Sequence, residues 1–358
     1  MAVTNRRNKV AMSDPDSYLS TATLHDVAAA AGVSVGTVSK ALNRRGGVSQ
    51  TVAAQIIDTA RRLGYQKRQL PPEPAYTVAA TTIITFDRFV VSGQFYGEIL
   101  DSILKEAERR GIATNVELLP SVEIPTLLAQ ENWFGQQRPE SLIVLGIDTP
   151  EMLDAISELG CPAVIVNGAD RRMRIPSVSP DYHFGGWLAA RHLLEQGHRK
   201  IAHVTHPWRV SFALRLDGFR DALSDFGITF DPEVHLIDTQ SRALMSLDAR
   251  RAVEARLAAG TLDCTGFVCA ADMLALGVIQ AATAAGLSVP GDISVIGFDD
   301  LPVSSHSTPP LSSIRIDRQE VGRTAVDLLL ERAAMPDRVA RRVGIGVSLV
   351  ARASVKPI

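Results

Sequence analysis

From about residue 77 onward the chain alternates short apolar runs with longer amphipathic stretches, and no other feature limits its fold as strongly. The runs at 78–86, 141–146, 163–166, 201–204, 266–269 and 293–297 have the length of strands buried on both faces. The stretches at 96–110, 183–196, 212–226, 247–259, 272–286 and 318–333 have helical periodicity. Such alternation demands parallel sheets covered on both sides by helices. About 280 residues is too long for one doubly wound sheet, so the pattern predicts an α/β architecture of two Rossmann-like lobes with a cleft between them. Hydrophobic residues make up 46% of the chain, enough to bury such cores and to exclude a disordered or fibrous class.

The first 70 residues are different. They carry ten Lys and Arg against four Asp, a balance of +6, whereas the remainder holds 27 basic and 35 acidic residues, a balance of −8. A small module for a polyanion attached to an acidic body has this pattern, although a basic solvated face has it too. The local periodicity favours the former. Leu24, Val27, Ala28 and Ala31 form one apolar helical stripe, with Thr23 as N-cap, Asp26 placed to complete a capping box and Gly32 as the stop. A second helix runs from about Val35 to Leu42 with Val38, Ala41 and Leu42 inward and Thr37 and Lys40 outward. Ser49 caps a third, whose inner face is Val52, Ile56, Ala60 and Leu63. Two short helices across a glycine turn, closed by a third, make a helix-turn-helix unit whose second helix enters the DNA major groove.

Thr23 to Asn43, followed by Val48-Ser49 and Leu63-Gly64-Tyr65, resembles the headpiece of the LacI/GalR family of bacterial transcriptional regulators. The likeness continues through Ser177–Asp181, Gly197-His198, Arg215–Leu223, Ala271–Gly277, Val289–Asp300 and Pro309–Ile314. It implies a flexible basic extension over 1–22, a headpiece over 23–66, a Pro-rich linker over 67–76 and a core of periplasmic-binding-protein type over 77–358. Within that core it puts lobe 1 at about 77–197 and 316–336 and lobe 2 at about 198–314 and 337–358, the chain crossing between them three times. It further implies a homodimeric repressor, double-stranded operator DNA and a sugar or nucleoside-like effector as partners, and neither catalysis nor a cofactor.

On the recognition helix, Lys40 suits direct readout of a guanine, Val35 can offer only apolar contact to a thymine methyl and Gly36 has no side chain to offer. Ser34, Thr37, Ser39 and Asn43 suit phosphate or positioning contacts. In the body, ligands of parallel sheets bind at the carboxyl ends of strands. Arg215 and Asp299 are the leading effector residues by resemblance, facing each other across the cleft, with Asp181, Phe95, Trp208 and Asp272 next and Phe86 as a further aromatic. Structural roles stay open for several: Asp181 and Asp272 can cap helices and Phe95 can be core. One departure matters. The family usually has Asn-Asp where this chain has Ala271-Asp272, which removes an amide partner for a hydroxyl.

His192, His198, His203 and His206 and the pair Cys264 and Cys269 match no zinc spacing, so no metal is expected. Gly344-Ile345-Gly346 lacks the third glycine and helix of a dinucleotide fingerprint and reads as a turn before the last strand. Three cysteines, no signal-like apolar run and no membrane-length segment predict a soluble cytoplasmic protein. A periplasmic binding protein would account for the body but not the headpiece. An α/β enzyme would need a nucleophile–base pair or a cofactor loop, and the sequence has neither.

The linker departs most from the family, which usually follows Gly-Tyr with a hinge helix whose leucine wedges into the minor groove. Here Tyr65 is followed by Gln66, Lys67, Arg68, Gln69 and Leu70, then Pro71, Pro72 and Pro74. Each proline lacks a donor and holds the preceding residue extended, which predicts a polyproline-like spacer with Lys67 and Arg68 on phosphates rather than a full hinge helix. Operator bending measured by circular permutation, and discrimination at the central base step, should therefore be weak. A sharp bend that Leu70→Ala abolishes would show that the wedge persists.

Overall fold

A computed structural model describes residues 22–42, 48–63, 65, 78–91, 94–120, 122, 124–130, 132–135, 138–242 and 245–358. They form two compact units that divide between Ala75 and Tyr76. All of the expected extension but Ala22, all of the expected linker, and Asn43, Lys67, Arg68 and Leu70 lie outside the described residues.

The first unit contains α1 (Leu24–Ala31), α2 (Val35–Leu42) and α3 (Gln50–Arg62). The capping box at its start is complete: the Thr23 hydroxyl accepts from the Asp26 N–H at 3.4 Å, and the Asp26 carboxylate accepts from the Thr23 N–H at 2.6 Å. Gly32 ends α1 with φ +65°, a left-handed conformation that costs glycine nothing. Val27, Ala28, Val38, Ala41, Leu42, Ile56 and Ala60 form the core. Leu63 does not join it. It lies one residue beyond α3, 40% exposed, and Thr59 holds the buried place on that face.

In the second unit the chain runs through β1 (Ala80–Phe86), α4 (Asp87–Val91), α5 (Gln94–Arg109), β2 (Ala113–Leu119), α6 (Ile124–Leu128), β3 (Leu142–Leu145), α7 (Pro150–Glu158), β4 (Ala163–Val166) and β5 (Ser177–Pro180). Then come α8 (Tyr182–Glu195), β6 (Ile201–Thr205), α9 (Val210–Asp225), α10 (Pro232–His235), β7 (Leu236–Asp238), α11 (Ser246–Ala258), β8 (Gly266–Cys269), α12 (Asp272–Ala284), β9 (Ser294–Asp299), α13 (Pro302–His306) and β10 (Ser312–Ile316). Finally α14 (Arg318–Ala334), β11 (Arg342–Ile345) and β12 (Val347–Val350) complete the fold. Two six-stranded sheets result, in the orders β11-β5-β4-β3-β1-β2 and β12-β10-β9-β8-β6-β7, every pairing parallel except β10 with β12. This is the two-lobed α/β body that the alternation predicts.

The chain crosses between the lobes three times, the second crossing close to the expected place and the first and third at other residues than the sequence indicated. It leaves lobe 1 after Pro180, because α8 packs on α9 and the second sheet. It returns at Asp317, since α14 packs on α5 and the first sheet, and crosses last at Gly346. The expected boundaries at 197 and 337 are thus displaced: α8 belongs to lobe 2 and β11 to lobe 1. Gly344 lies within β11, paired with Ser179, so only Gly346 forms the bend before the last strand. The strands with no clear sequence signal are the exposed or half-exposed edges β2, β11 and β12, together with short β5 and β7 and the serine-rich β10.

Helices α8 and α9 approach closely through glycine. A β-carbon on Gly186 would stand 2.1 Å from the Arg215 carbonyl oxygen, and one on Gly218 would stand 1.9 Å from that of His183. Gly186→Ala and Gly218→Ala should each cost about 3 kcal/mol or more in thermal or urea unfolding, because backbone rather than a movable side chain must yield. In Gly344→Ala the new carbon would meet nothing nearer than 3.9 Å, and this variant should stay within about 1 kcal/mol of the parent.

Candidate functional site

A cavity of about 410 Å³ lies between the lobes of the second unit, lined from both sides by loops that leave the carboxyl ends of strands. From lobe 2 come Trp208 and Arg209 after β6, Ala271 after β8, Asp299 at the end of β9, and Ser211, Phe212 and Arg215 on α9. Lobe 1 supplies Phe89, Phe95 and Tyr96 after β1 and Asn167 directly after β4.

Arg215 is the charged centre of the lobe 2 wall. Its guanidinium is buried against three aromatic faces, 4.0 Å from the Phe298 centroid, 4.4 Å from that of Tyr182 and 5.0 Å from that of Phe212. It donates to the Ala270 carbonyl and, at 3.4 Å, to Asp299 Oδ1. Asp299 has φ +107°, a strained conformation for a residue with a side chain, and it directs its carboxylate at this partner. Arg215 and Asp299 therefore stand side by side on one wall. The sequence reading had them face each other across the cleft, but α9 and β9 both belong to lobe 2.

The residues opposite form a connected polar network. Asn167, at φ +57°, donates from Nδ2 to Tyr96 Oη at 2.7 Å and accepts at Oδ1 from the Tyr182 hydroxyl. Arg209 reaches over from lobe 2 and donates to Tyr96 Oη at 3.0 Å and to the Asn167 carbonyl at 2.9 Å, with Asp148 Oδ1 at 3.2 Å from its guanidinium. Tyr96 stacks on Phe89 at 4.5 Å, so the phenol is fixed in both plane and position.

Phe95, Trp208, Arg215 and Asp299 thus come together around the cavity, and Phe86, Asp181 and Asp272 do not. Phe86 points into the lobe 1 core. Asp181 sits at the first lobe crossing and caps α8 by accepting from the Phe184 N–H at 3.0 Å. Asp272 is fully buried beneath the wall, where it accepts from the Leu301 N–H at 2.7 Å and the Ser313 hydroxyl at 2.6 Å. Asn167 and Arg209 were missed, although a signal existed: each is a polar residue in the first loop positions after an apolar run. The histidines are dispersed in structural roles. His198 pairs with Thr265 at 2.8 Å, His206 with Asp238 at 2.8 Å, and His203 is buried against Phe219. Among the described residues no group of three His, Cys, Asp or Glu is placed to hold a metal ion.

In the first unit, Ser34 caps α2, its hydroxyl accepting from the Thr37 N–H at 3.1 Å and pairing with the Thr37 hydroxyl at 2.8 Å. Ser34, Gly36 and Lys40 are exposed, and Val35, Thr37 and Ser39 are half-buried. The nearest atom to a β-carbon on Gly36 would be Ser34 Oγ, at 3.7 Å, so packing within the unit does not require glycine there.

Burial pushes the Asp299 carboxyl up to about 7, opposed by the Arg215 guanidinium, reinforced by Asp272 and opposed again by Arg318. Because the ordinary value is 3.8, the folded protein holds a proton on this group between about pH 4 and 7 that the unfolded chain has released. The stability this proton confers is full below pH 4 and is lost as the pH rises through 7. Asp299→Asn should remove that component. Between pH 5 and 7 the difference in unfolding free energy between parent and variant should change by up to about 1.4 kcal/mol per pH unit, measurable by urea titration.

A helix-turn-helix unit on the same chain as a two-lobed body with a polar, aromatic-walled cavity defines a DNA-binding transcriptional regulator with an effector domain. The profile of bacterial regulatory proteins of the lacI family matches residues 23–67, and that of the periplasmic binding protein-like domain matches residues 190–355. The chain is 30% identical to the transcriptional repressor PurR of Aliivibrio fischeri over 93% of its own length and 98% of that protein. It is 31% identical to the transcriptional regulator MalR of Streptomyces coelicolor, over 87% and 90%. The lac repressor dimer bound to operator and the anti-inducer ONPF superposes with a TM-score of 0.68 at 27% identity, covering 94% of this chain and 99% of that one. The chain belongs to the lacI family. None of its described helices is long and apolar enough to cross a membrane.

Proposed function

We propose that this regulator is a cytoplasmic repressor that binds a pseudo-palindromic operator as a homodimer and is controlled by a sugar or nucleoside-like molecule in the inter-lobe cavity. The observation that carries the effector reading is the wall formed by Arg215 and Asp299 with Asn167 across from it, set among Phe95, Tyr96, Trp208 and Phe212. Paired donors and acceptors bracket hydroxyls, and aromatic faces cover the apolar side of a ring. Ala271 lines the same cavity without a polar side chain, so whatever binds has no side-chain hydrogen-bond partner at that position. PurR's designation as a repressor and the operator-bound dimer of the lac repressor support the DNA reading. One headpiece contacts too few bases for operator-level specificity, and two-fold protein symmetry calls for a two-fold site.

On the DNA, α2 occupies the major groove, Lys40 reads a base edge, and Val35 and Gly36 let the start of the helix approach closely. Ser34, Thr37, Ser39 and Asn43 contact the backbone, as do Lys67 and Arg68 in the linker, with Leu70 nearest the operator centre. In a binding-site selection followed by gel shifts, Lys40→Ala should lose about 1–3 kcal/mol of discrimination at one base pair per half-site. An unchanged preference would reject its role. Gly36→Ala should make the helix itself more favourable by up to about 1 kcal/mol while weakening operator binding. For the effector, a thermal-shift screen of sugars and nucleosides identifies the ligand, because a compound at 100 times its Kd adds about 2.7 kcal/mol. Arg215→Ala or Asp299→Ala should then weaken its binding by about 1–3 kcal/mol and leave effector-free operator binding intact. Loss of both activities would mean that the pair only maintains the fold.

A further inference from the structure

The inner cavity continues outward. A second cavity of about 480 Å³ shares Trp208, Arg209 and Arg242 with it. Its lobe 1 wall is the start of α7 and the turn after β4, and its lobe 2 wall is the loop after β6 together with Arg242. Five arginines line it, at 171, 172, 174, 209 and 242, against the carboxylates of Asp148 and Asp170.

Three of those cations are already engaged. Arg174 bonds Asp170 at 2.9 Å and Asp154 at 2.7 Å, Arg172 bonds Asp154 at 2.7 Å, and Arg209 has Asp148 at 3.2 Å. Arg171 and Arg242 are exposed and have no carboxylate partner among the described residues. Arg242 lies over the Trp208 ring, 5.5 Å from its centroid, and Arg209 lies at the same distance from that ring. Cations on both lobes thus line one opening. An uncompensated pair of this kind resists closure of the cleft, and an anion between the two guanidiniums reverses the sign of that interaction. The planar donor fork of arginine suits the oxygens of a carboxylate or phosphate.

We propose that the outer cavity is a subsite for an anionic group, a carboxylate or a phosphate, carried on the part of the effector that projects from the inner cavity and held between Arg171 of lobe 1 and Arg242 of lobe 2. The proposal rests on the reading that an effector occupies the inner cavity. It narrows that effector to an acidic or phosphorylated sugar or nucleoside. It also gives the outer group a part in control, because the group binds both lobes only when they are close.

Isothermal titration of the full-length protein tests this with matched probes: glucose, glucuronate and glucose 6-phosphate, the galactose counterparts, digalacturonate as a two-ring acid, and adenosine and inosine with their 5′-monophosphates. At least one anionic probe should bind ten times or more tightly than its neutral partner, with the advantage shrinking from 50 to 300 mM salt as expected for an exposed charge pair. The carboxylate and phosphate members distinguish the two chemistries. The double variant Arg171→Gln/Arg242→Gln should bring the anionic probe to the affinity of the neutral one in the same variant, and Arg171→Gln alone, at a residue that lines only the outer cavity, should remove part of the advantage and leave neutral-probe binding unchanged. Neutral probes that bind as tightly as the anionic ones, or an anionic probe undiminished by the double variant, would overturn the subsite while the inner-cavity reading stands. Binding by none of the probes would overturn both. Loss of operator affinity by the effector-free double variant, with probe binding retained, would assign these arginines to DNA instead.

Discussion

A guanidinium taken out of water must find partners, and Arg215 is the place where this body gathers most of them, although its Nε–H has none among the described residues. Its charge is met by the Ala270 carbonyl, the Asp299 carboxylate and the faces of Phe298, Tyr182 and Phe212, while its own carbonyl oxygen lies against Gly186 of the neighbouring helix. One residue therefore ties α9 to β8, β9 and α8. The left-handed turn at Asp299, the buried Asp272 beneath it and the glycine contact between helices all serve to keep this cation where it can meet a ligand. A charge so enclosed is costly to leave unpaired, which makes the wall rigid before any ligand arrives.

The facing wall is joined to this one by Arg209, a second largely buried arginine that bonds lobe 1 at Tyr96, Asn167 and Asp148. Arg318 makes a comparable link, bonding Glu98 of α5 in lobe 1 and the Asp299 carbonyl in lobe 2. The lobes thus contact each other through directional polar bonds as well as through the crossings. A ligand that offers its own hydrogen bonds to Tyr96 or Asn167 competes with Arg209, and one that accepts from Arg209 adds to the link. Which of the two occurs decides whether binding opens or closes the cleft.

The sequence was most informative where one physical requirement acts alone. The three headpiece helices, the buried strands such as 163–166 and 266–269, and the helices around them follow from apolar periodicity and caps. Edge strands were not legible, because β2, β11 and β12 are paired on one side and partly exposed, so no continuous apolar run marks them. The first lobe boundary was misplaced for a related reason: whether α8 covers one sheet or the other depends on glycine contacts with α9, which periodicity does not encode. At the site, family resemblance pointed to Arg215 and Asp299, which do line the cavity, but not to their side-by-side arrangement, and it did not show that Asp272 lies buried just under the same wall. Asn167 and Arg209 show that the first polar residues after a buried strand are worth as much attention as any acidic motif.

The last crossing has a consequence for how the molecule is made. β11 and β12 are adjacent in the chain, separated by Gly346 alone, yet each completes the edge of a different sheet. Neither lobe is finished when the ribosome has made its longest contiguous part, and both receive their final strand within a few residues of each other. A chain cut short before Arg342 would lack an edge strand in both sheets at once, leaving unpaired backbone on β5 and β10. The topology therefore couples the maturation of the two lobes, and a nascent chain becomes competent in both together.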